Sequence, residues 1–89
     1  MTVVTKNDGQ WVELADASAA EKDVVLTPLN SSRVVCQVAA SIPTDTAAGF
    51  EITSDLATAV KVGSGKYLYG RTISSTGKGL KLDVQDVTA

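Results

Sequence analysis

The residues in this chain that could do chemistry are few. There is no histidine and only one cysteine. Ser-His-Asp and Cys-His nucleophile systems and histidine-ligated metal sites are therefore excluded at the outset. Asp45, Glu51 and Asp55 form an acidic cluster around one loop. A carboxylate pair can hydrolyse glycosides when held at a fixed separation across a cleft, and carboxylate oxygens can bind calcium. The spacing matches no calcium-loop pattern, and a domain of 89 residues rarely encloses such a cleft. Gly63-Ser64-Gly65 and Gly77-Lys78-Gly79 superficially resemble phosphate loops. Neither opens a helix or carries the full glycine-lysine spacing, so both are read as hairpin turns. The expectation is a non-enzymatic protein with no cofactor and no metal.

The remaining side chains of interest suit contact rather than turnover. Tyr67, Tyr69, Arg71 and Ile73 alternate along one face of the penultimate strand. Tyr and Arg are enriched at interfaces, and Tyr rings can stack on sugars. The plainer alternative is that the rings cover core at a sheet edge. Trp11, the single tryptophan, is read as a core lid or an interface anchor. Cys36 lies in the apolar run Arg33-Val34-Val35-Cys36-Gln37-Val38 and is read as a small buried hydrophobe, since a reactive thiol needs a cationic, exposed setting. As a lone cysteine it can close no intrachain disulfide, which fits a reducing compartment. The candidate interface residues are Trp11, Arg33, Val35, Tyr67, Tyr69 and Arg71.

These residues must be positioned by strands. Val, Leu, Ile and Phe supply 23 residues, enough for a core, and Val, Ile and Thr supply 25, a β-branched bias. Alternating runs recur between turn signals at roughly ten-residue spacing, the pattern of an all-β sandwich or barrel. The expected strands are Gln10 to Leu14, Asp23 to Leu29, Arg33 to Ala40, Phe50 to Thr53, Thr58 to Val62, Lys66 to Ile73 and Leu80 to Val87. Arg33 to Ala40 puts Val34, Cys36 and Val38 on one face and Val35, Gln37 and Ala39 on the other. Because both faces are largely apolar, this strand is expected to be central or covered by a neighbouring subunit. Phe50 and Ile52 are expected to point inward. Pro28, lacking a donor, belongs at a strand end or edge. Ser18-x-x-Glu21 matches a capping box, but no amphipathic run follows, so only a short turn is expected. The last three strands are expected to form two hairpins, closing the chain as a β-meander. The whole is one small antiparallel domain of about six to eight short strands, with residues 1–9 open to being an N-terminal arm.

The net charge of −2 conceals an uneven distribution. Residues 1–59 sum to −5, residues 60–82 to +5 through Lys61, Lys66, Arg71, Lys78 and Lys81, and the tail adds −2. Such bipolarity could pair acidic and basic patches between copies, or simply solvate the surface. Nucleic-acid binding is disfavoured at a pI near 4.8. No run approaches the roughly 18 apolar residues of a membrane span, and the N-terminus lacks the pattern of a signal peptide. A soluble protein made in the cytoplasm is expected.

Trp11-Val12-x-Leu14, Val34-x-Cys36-Gln37-Val38, Ile42-Pro43 followed by Gly49-Phe50-x-Ile52, Tyr67-Leu68-Tyr69-Gly70-Arg71 and Leu80-x-Leu82-x-Val84 together span most of the chain. In this order the pattern resembles small β-sandwich virion structural modules of tailed bacteriophages, with Tyr69-Gly70-Arg71 where Trp-Ala-Arg is the more familiar form. The resemblance implies a capsid decoration (cement) or head-fibre subunit, or a tail module, located in the virion. Its implied partners are its own copies, a trimer being favoured, and the major capsid protein or tail proteins. It transfers no catalytic residues. A fibre-tip module that binds a host receptor or glycan through Trp11, Tyr67 and Tyr69 is the alternative.

Overall fold

Residues 2–6, 10–29, 34–44, 49–52, 57–72 and 80–88 are described by the computed structural model of the chain. Eight strands carry the fold: β1 Thr2–Lys6, β2 Val12–Ala17, β3 Lys22–Pro28, β4 Val34–Ala39, β5 Phe50–Ile52, β6 Thr58–Val62, β7 Lys66–Thr72 and β8 Leu80–Asp86. All strand pairs are antiparallel. The β-branched alternation is what selects strands here, because each run has one apolar side to bury.

The order of pairing follows one rule. β1 pairs with β8, β2 with β7, β3 with β6 and β4 with β5, so the chain nests like one long hairpin closed at β4–β5. Rolling that hairpin adds the β3–β8 and β4–β7 joints and divides the strands into two four-stranded sheets. Their orders are β1-β8-β3-β6 and β2-β7-β4-β5. This is the jelly-roll form of the β-sandwich. The all-β sandwich expected from the sequence is what the structure contains.

The closing meander is not. β6 and β7 lie in different sheets, as do β7 and β8, so neither expected hairpin exists. Among the eight strands, only β4 and β5 are both consecutive and paired; every other connection crosses between sheets. The Gly63–Gly65 turn itself is present: Lys66 N–H donates to the Gly63 carbonyl at 3.2 Å, and Gly65 adopts φ +83°. The sign of that φ is what position i+2 of a type II turn requires. Gly65 N–H also donates to the Ala17 carbonyl at 2.8 Å, tying the turn to the end of β2. Residues 73–79, which join β7 to β8, lie outside the described residues. Thr2–Lys6 is an edge strand of the first sheet rather than a free arm.

The core lies between the sheets and is aliphatic. Val24, Leu26, Val62, Leu82 and Val84 from one sheet meet Leu14, Ala17, Val34, Cys36, Ile52 and Leu68 from the other. β4 is central, flanked by β7 and β5, as its two apolar sides suggested. Pro28 ends β3 opposite Leu82 of β8, beyond the last β3–β6 pair at Leu26, so its missing donor costs no ladder bond on that side. Phe50 corrects an expectation. Its register partner Cys36 is buried, but at the start of the three-residue edge strand β5 its ring stays 39% exposed. The accessible surface of 4953 Å² is close to the ~4,900 Å² expected of a folded monomer of this mass.

β2 contains a bulge between Glu13 and Ala15. The extra residue, Leu14, packs over Gly70 of β7, where a Cβ would stand 2.7 Å from Leu14 Cδ1. The Ser18-x-x-Glu21 segment forms a bend rather than a helix start, with Ser18 N–H donating to Asp16 Oδ1 at 2.9 Å.

The turn glycines give a direct check. Gly65→Ala should lower the stability measured by urea unfolding by about 1–2 kcal/mol, the cost of placing an L-residue in the left-handed region. Gly63 has open space where a Cβ would stand, so Gly63→Ala should be close to neutral. Equal losses for both variants would contradict the described turn.

Candidate functional site

The outward side of the second sheet carries the candidate residues. Along β7, Leu68, Gly70 and Thr72 point into the sandwich and are buried, which turns Tyr67, Tyr69 and Arg71 outward. Register then sets the neighbours of each. Arg71 lies opposite Val35, Tyr69 opposite Gln37 and Glu13, and Tyr67 opposite Ala39 and Asp16. Trp11, one residue before β2, meets this face at Arg71, whose guanidinium carbon sits 5.4 Å from the centre of the indole. Tyr67 and Tyr69 have ring centres 6.1 Å apart at an interplanar angle of 42°. Five of the six expected contact residues thus share one face. The sixth, Arg33, lies outside the described residues, as does Ile73.

This face is not bare. Trp11 is only 4% exposed and Tyr69 only 7%. Residues 40–44, which follow β4, reach this face at Trp11, whose indole N–H donates to the Thr44 carbonyl at 2.7 Å. The hydrogen bond thus links the segment after β4 to the residue before β2, the two strands that flank β7. Returning toward β5, the chain passes Gly49, where a Cβ would meet the Cys36 carbonyl oxygen; only glycine allows that approach.

Sequence reasoning missed Ile42, which is 63% exposed in the segment that reaches Trp11. Among the described residues, half-buried Tyr67 and Val35 are accessible groups on the face itself. Ile42 stood in a run of small residues that read as plain loop.

Among the described residues, the face carries Glu13, Asp16 and Glu51 against one cation, Arg71. Burial pushes the Tyr69 hydroxyl above its ordinary value, and Glu13 adds to the effect. Among the described residues of this face, Arg71 Nε and Gln37 Oε1 are buried without a hydrogen-bond partner, as Asp83 Oδ1 is on the other sheet. The five-cation stretch of the sequence does not form one basic patch. Its strands go to both sheets: Lys61 meets Glu21 at 3.4 Å, Arg71 is stacked on Trp11, and Lys81 lies on the other sheet. Lys78 falls outside the described residues.

An open cleft of about 310 Å³ lies between the sheets, lined by Glu13, Leu14, Ala15, Asp16, Lys22, Val24, Val84 and Asp86. Lys22 and Asp86, on the adjacent strands β3 and β8, approach at 3.8 Å. Asp16 is held below the usual carboxylate range by hydrogen bonds from Ser18, and Asp86 by hydrogen bonds from Thr88. A general acid needs a raised pKa, and these two groups move the opposite way. Of the acidic trio weighed for chemistry, Glu51 is exposed on β5, and Asp45 and Asp55 lie outside the described residues. Among the described residues, no group of His, Cys, Asp and Glu could hold a metal ion. Among the same residues, no helix is long and apolar enough to cross a membrane. Cys36 is fully buried, and its thiol is pushed up to about 12 by burial.

Comparison with protein-family models, curated proteins and solved structures gave no match to this chain. The jelly-roll assignment rests on strand order and register.

Two measurements follow from this geometry. Cys36 should resist a disulfide reagent at pH 8 in the native state and react only at the rate of unfolding; fast stoichiometric labelling would contradict its burial. Asp16 and Asp86 have lowered folded pKa values, so the stability they add is complete above the unfolded carboxylate value of about 3.9 and is lost as pH falls through the folded values. The melting temperature should drop on acidification through this window, and Thr88→Val should flatten that drop. An unchanged acid profile in Thr88→Val would remove Thr88 as its cause.

Proposed function

We propose that this protein is a non-enzymatic structural subunit of a tailed-phage virion. In this reading it is a capsid decoration or head-fibre component that docks on the shell and on its own copies through the β2-β7-β4-β5 side. The observation that carries the reading is the outward sheet face on which half-buried Val35, Tyr67 and Arg71 stay accessible around buried Trp11 and Tyr69, with Ile42 exposed in the segment that reaches Trp11. Aromatic and Arg side chains ringed by acidic groups are the composition of a protein contact surface. The jelly-roll fold also serves in viral capsid domains, although a fold alone does not assign a function.

The size of the body supports the same use. Its extents are 36 × 26 × 17 Å, so a broad face can supply the roughly 800 Å² per partner of a standard interface. The cleft carboxylates, lowered rather than raised, give no support to a hydrolytic reading. The glycan-binding alternative is weakened by burial: sugar stacking needs open ring faces, but Trp11 is covered by Arg71 and Tyr69 is 7% exposed.

The test is binding to purified phage shells by co-sedimentation, with sedimentation velocity on the free protein. The wild-type chain should bind at fixed stoichiometry and self-associate at micromolar concentration. Ile42→Asp should weaken both by at least tenfold, about 1.4 kcal/mol, while leaving the melting temperature nearly unchanged, since its side chain is 63% exposed. A strictly monomeric protein that ignores shells would sink the proposal.

A further inference from the structure

Two open sheets leave four edge strands, and each edge offers backbone donors and acceptors with which another chain can pair. Here the edges are β1 and β6 of one sheet and β2 and β5 of the other. Three of them carry features that discourage pairing. β5 is three residues long, Lys61 of β6 is exposed, and β1 ends on Lys6. β2 is six residues long and has no lysine. Among the described residues it pairs with β7 alone, and an open cleft lies beside it, lined in part by Glu13, Leu14, Ala15 and Asp16. The bulge at Leu14 interrupts this edge.

The inserted residue is not needed to hold the faces or the register of the strand. Val12 lies opposite Gly70 and Glu13 opposite Tyr69; beyond the bulge, Ala15 lies opposite Leu68, Asp16 opposite Tyr67 and Ala17 opposite Lys66. Without Leu14 these five pairs would run as one unbroken ladder, with Glu13 and Asp16 still outward and Ala17 still inward. Room for Leu14 is also needed on β7, where a Cβ on Gly70 would stand 2.7 Å from Leu14 Cδ1. Two positions on neighbouring strands thus serve an irregularity that pairing with β7 does not require. Its remaining consequences are the leucine it adds to the core and the step it puts in the outer edge. An extra residue displaces the free N–H and C=O groups beyond it from the regular spacing that an added strand must match.

We propose that the Leu14 bulge guards the β2 edge, preventing strand addition by another copy of the chain, so that copies cannot join sheet to sheet through β2. The guard stands apart from the virion reading. In an assembly of copies, it directs association away from this edge and toward the faces of the sandwich.

Deletion of Leu14 tests the guard, with Leu14→Ala as its control. Both variants lose the same buried side chain, but only the deletion straightens the edge. Each is followed by sedimentation velocity and by hydrogen exchange of β2 from micromolar to millimolar concentration. After the deletion, the β2 amides that do not donate to β7 should exchange several-fold more slowly as concentration rises, and oligomers should form. In Leu14→Ala and in wild type their exchange should not depend on concentration. Adding Glu13→Lys to the deletion should abolish the protection, because a lysine on the edge supplies another guard. Equal β2 protection in the two variants would assign it to the lost core contact and overturn the proposal. So would a folded deletion variant whose β2 amides stay unprotected at every concentration. If the deletion abolishes the strand signal in circular dichroism, the wild type decides: β2 amides protected at high concentration overturn the guard, and unchanged exchange upholds it.

Discussion

The packing of Leu14 over Gly70 sets the phase of everything that follows along β2. Val12 points inward and Glu13 outward, and strict alternation from there would put Ala15 outward and Asp16 inward. The extra residue reverses the alternation, so that Asp16 faces out and Ala17 is fully buried. Burying an unpaired carboxylate would cost several kcal/mol, and the bulge avoids it. The bulge in turn needs an empty position on the neighbouring strand. Gly70 provides it, since any side chain there would collide with Leu14. One glycine on β7 thus permits the irregularity on β2 that keeps the outer face acidic and the core apolar.

The face built on that phase has two layers of organisation. Cross-strand register groups Trp11 with Arg71, Tyr69 with Glu13 and Gln37, and Tyr67 with Asp16 and Ala39. The segment after β4 then meets it at Trp11 through the Thr44 carbonyl. The two apolar sides of β4 suggested a central strand or one covered by a neighbouring subunit, and β4 is central, between β7 and β5. Ile42, in the segment after β4, is exposed. The charge asymmetry of the sequence dissolves for a related reason: consecutive strands go to opposite sheets, so charges adjacent in the chain separate in space.

Much of this was legible in the residues. The period-two runs located seven of the eight strands to within a few residues, the fully buried Cys36 and the inward set of β4. They also grouped Tyr67, Tyr69 and Arg71. The partners of the strands were not legible. Thr58, Val60 and Val62 of β6 and Leu68, Gly70 and Thr72 of β7 present inward sides that suit hairpin neighbours and facing sheets equally well. A Gly-Ser-Gly turn serves either connection. Phe50 shows the same limit, because alternation gives its direction but not whether the end of a three-residue edge strand is covered.

The sequence by itself determined the kind of element, the side each strand buries and the classes of chemistry ruled out by the missing histidine, because these depend on residue type and local period. Only the tertiary structure decided the nested pairing of β1 with β8 through to β4 with β5, the bulge at Leu14 and the hydrogen bond that joins Trp11 to Thr44. Each of these is a contact between residues far apart in the chain, governed by how volumes and backbone donors fit once the sheets meet. No local pattern encodes that fit.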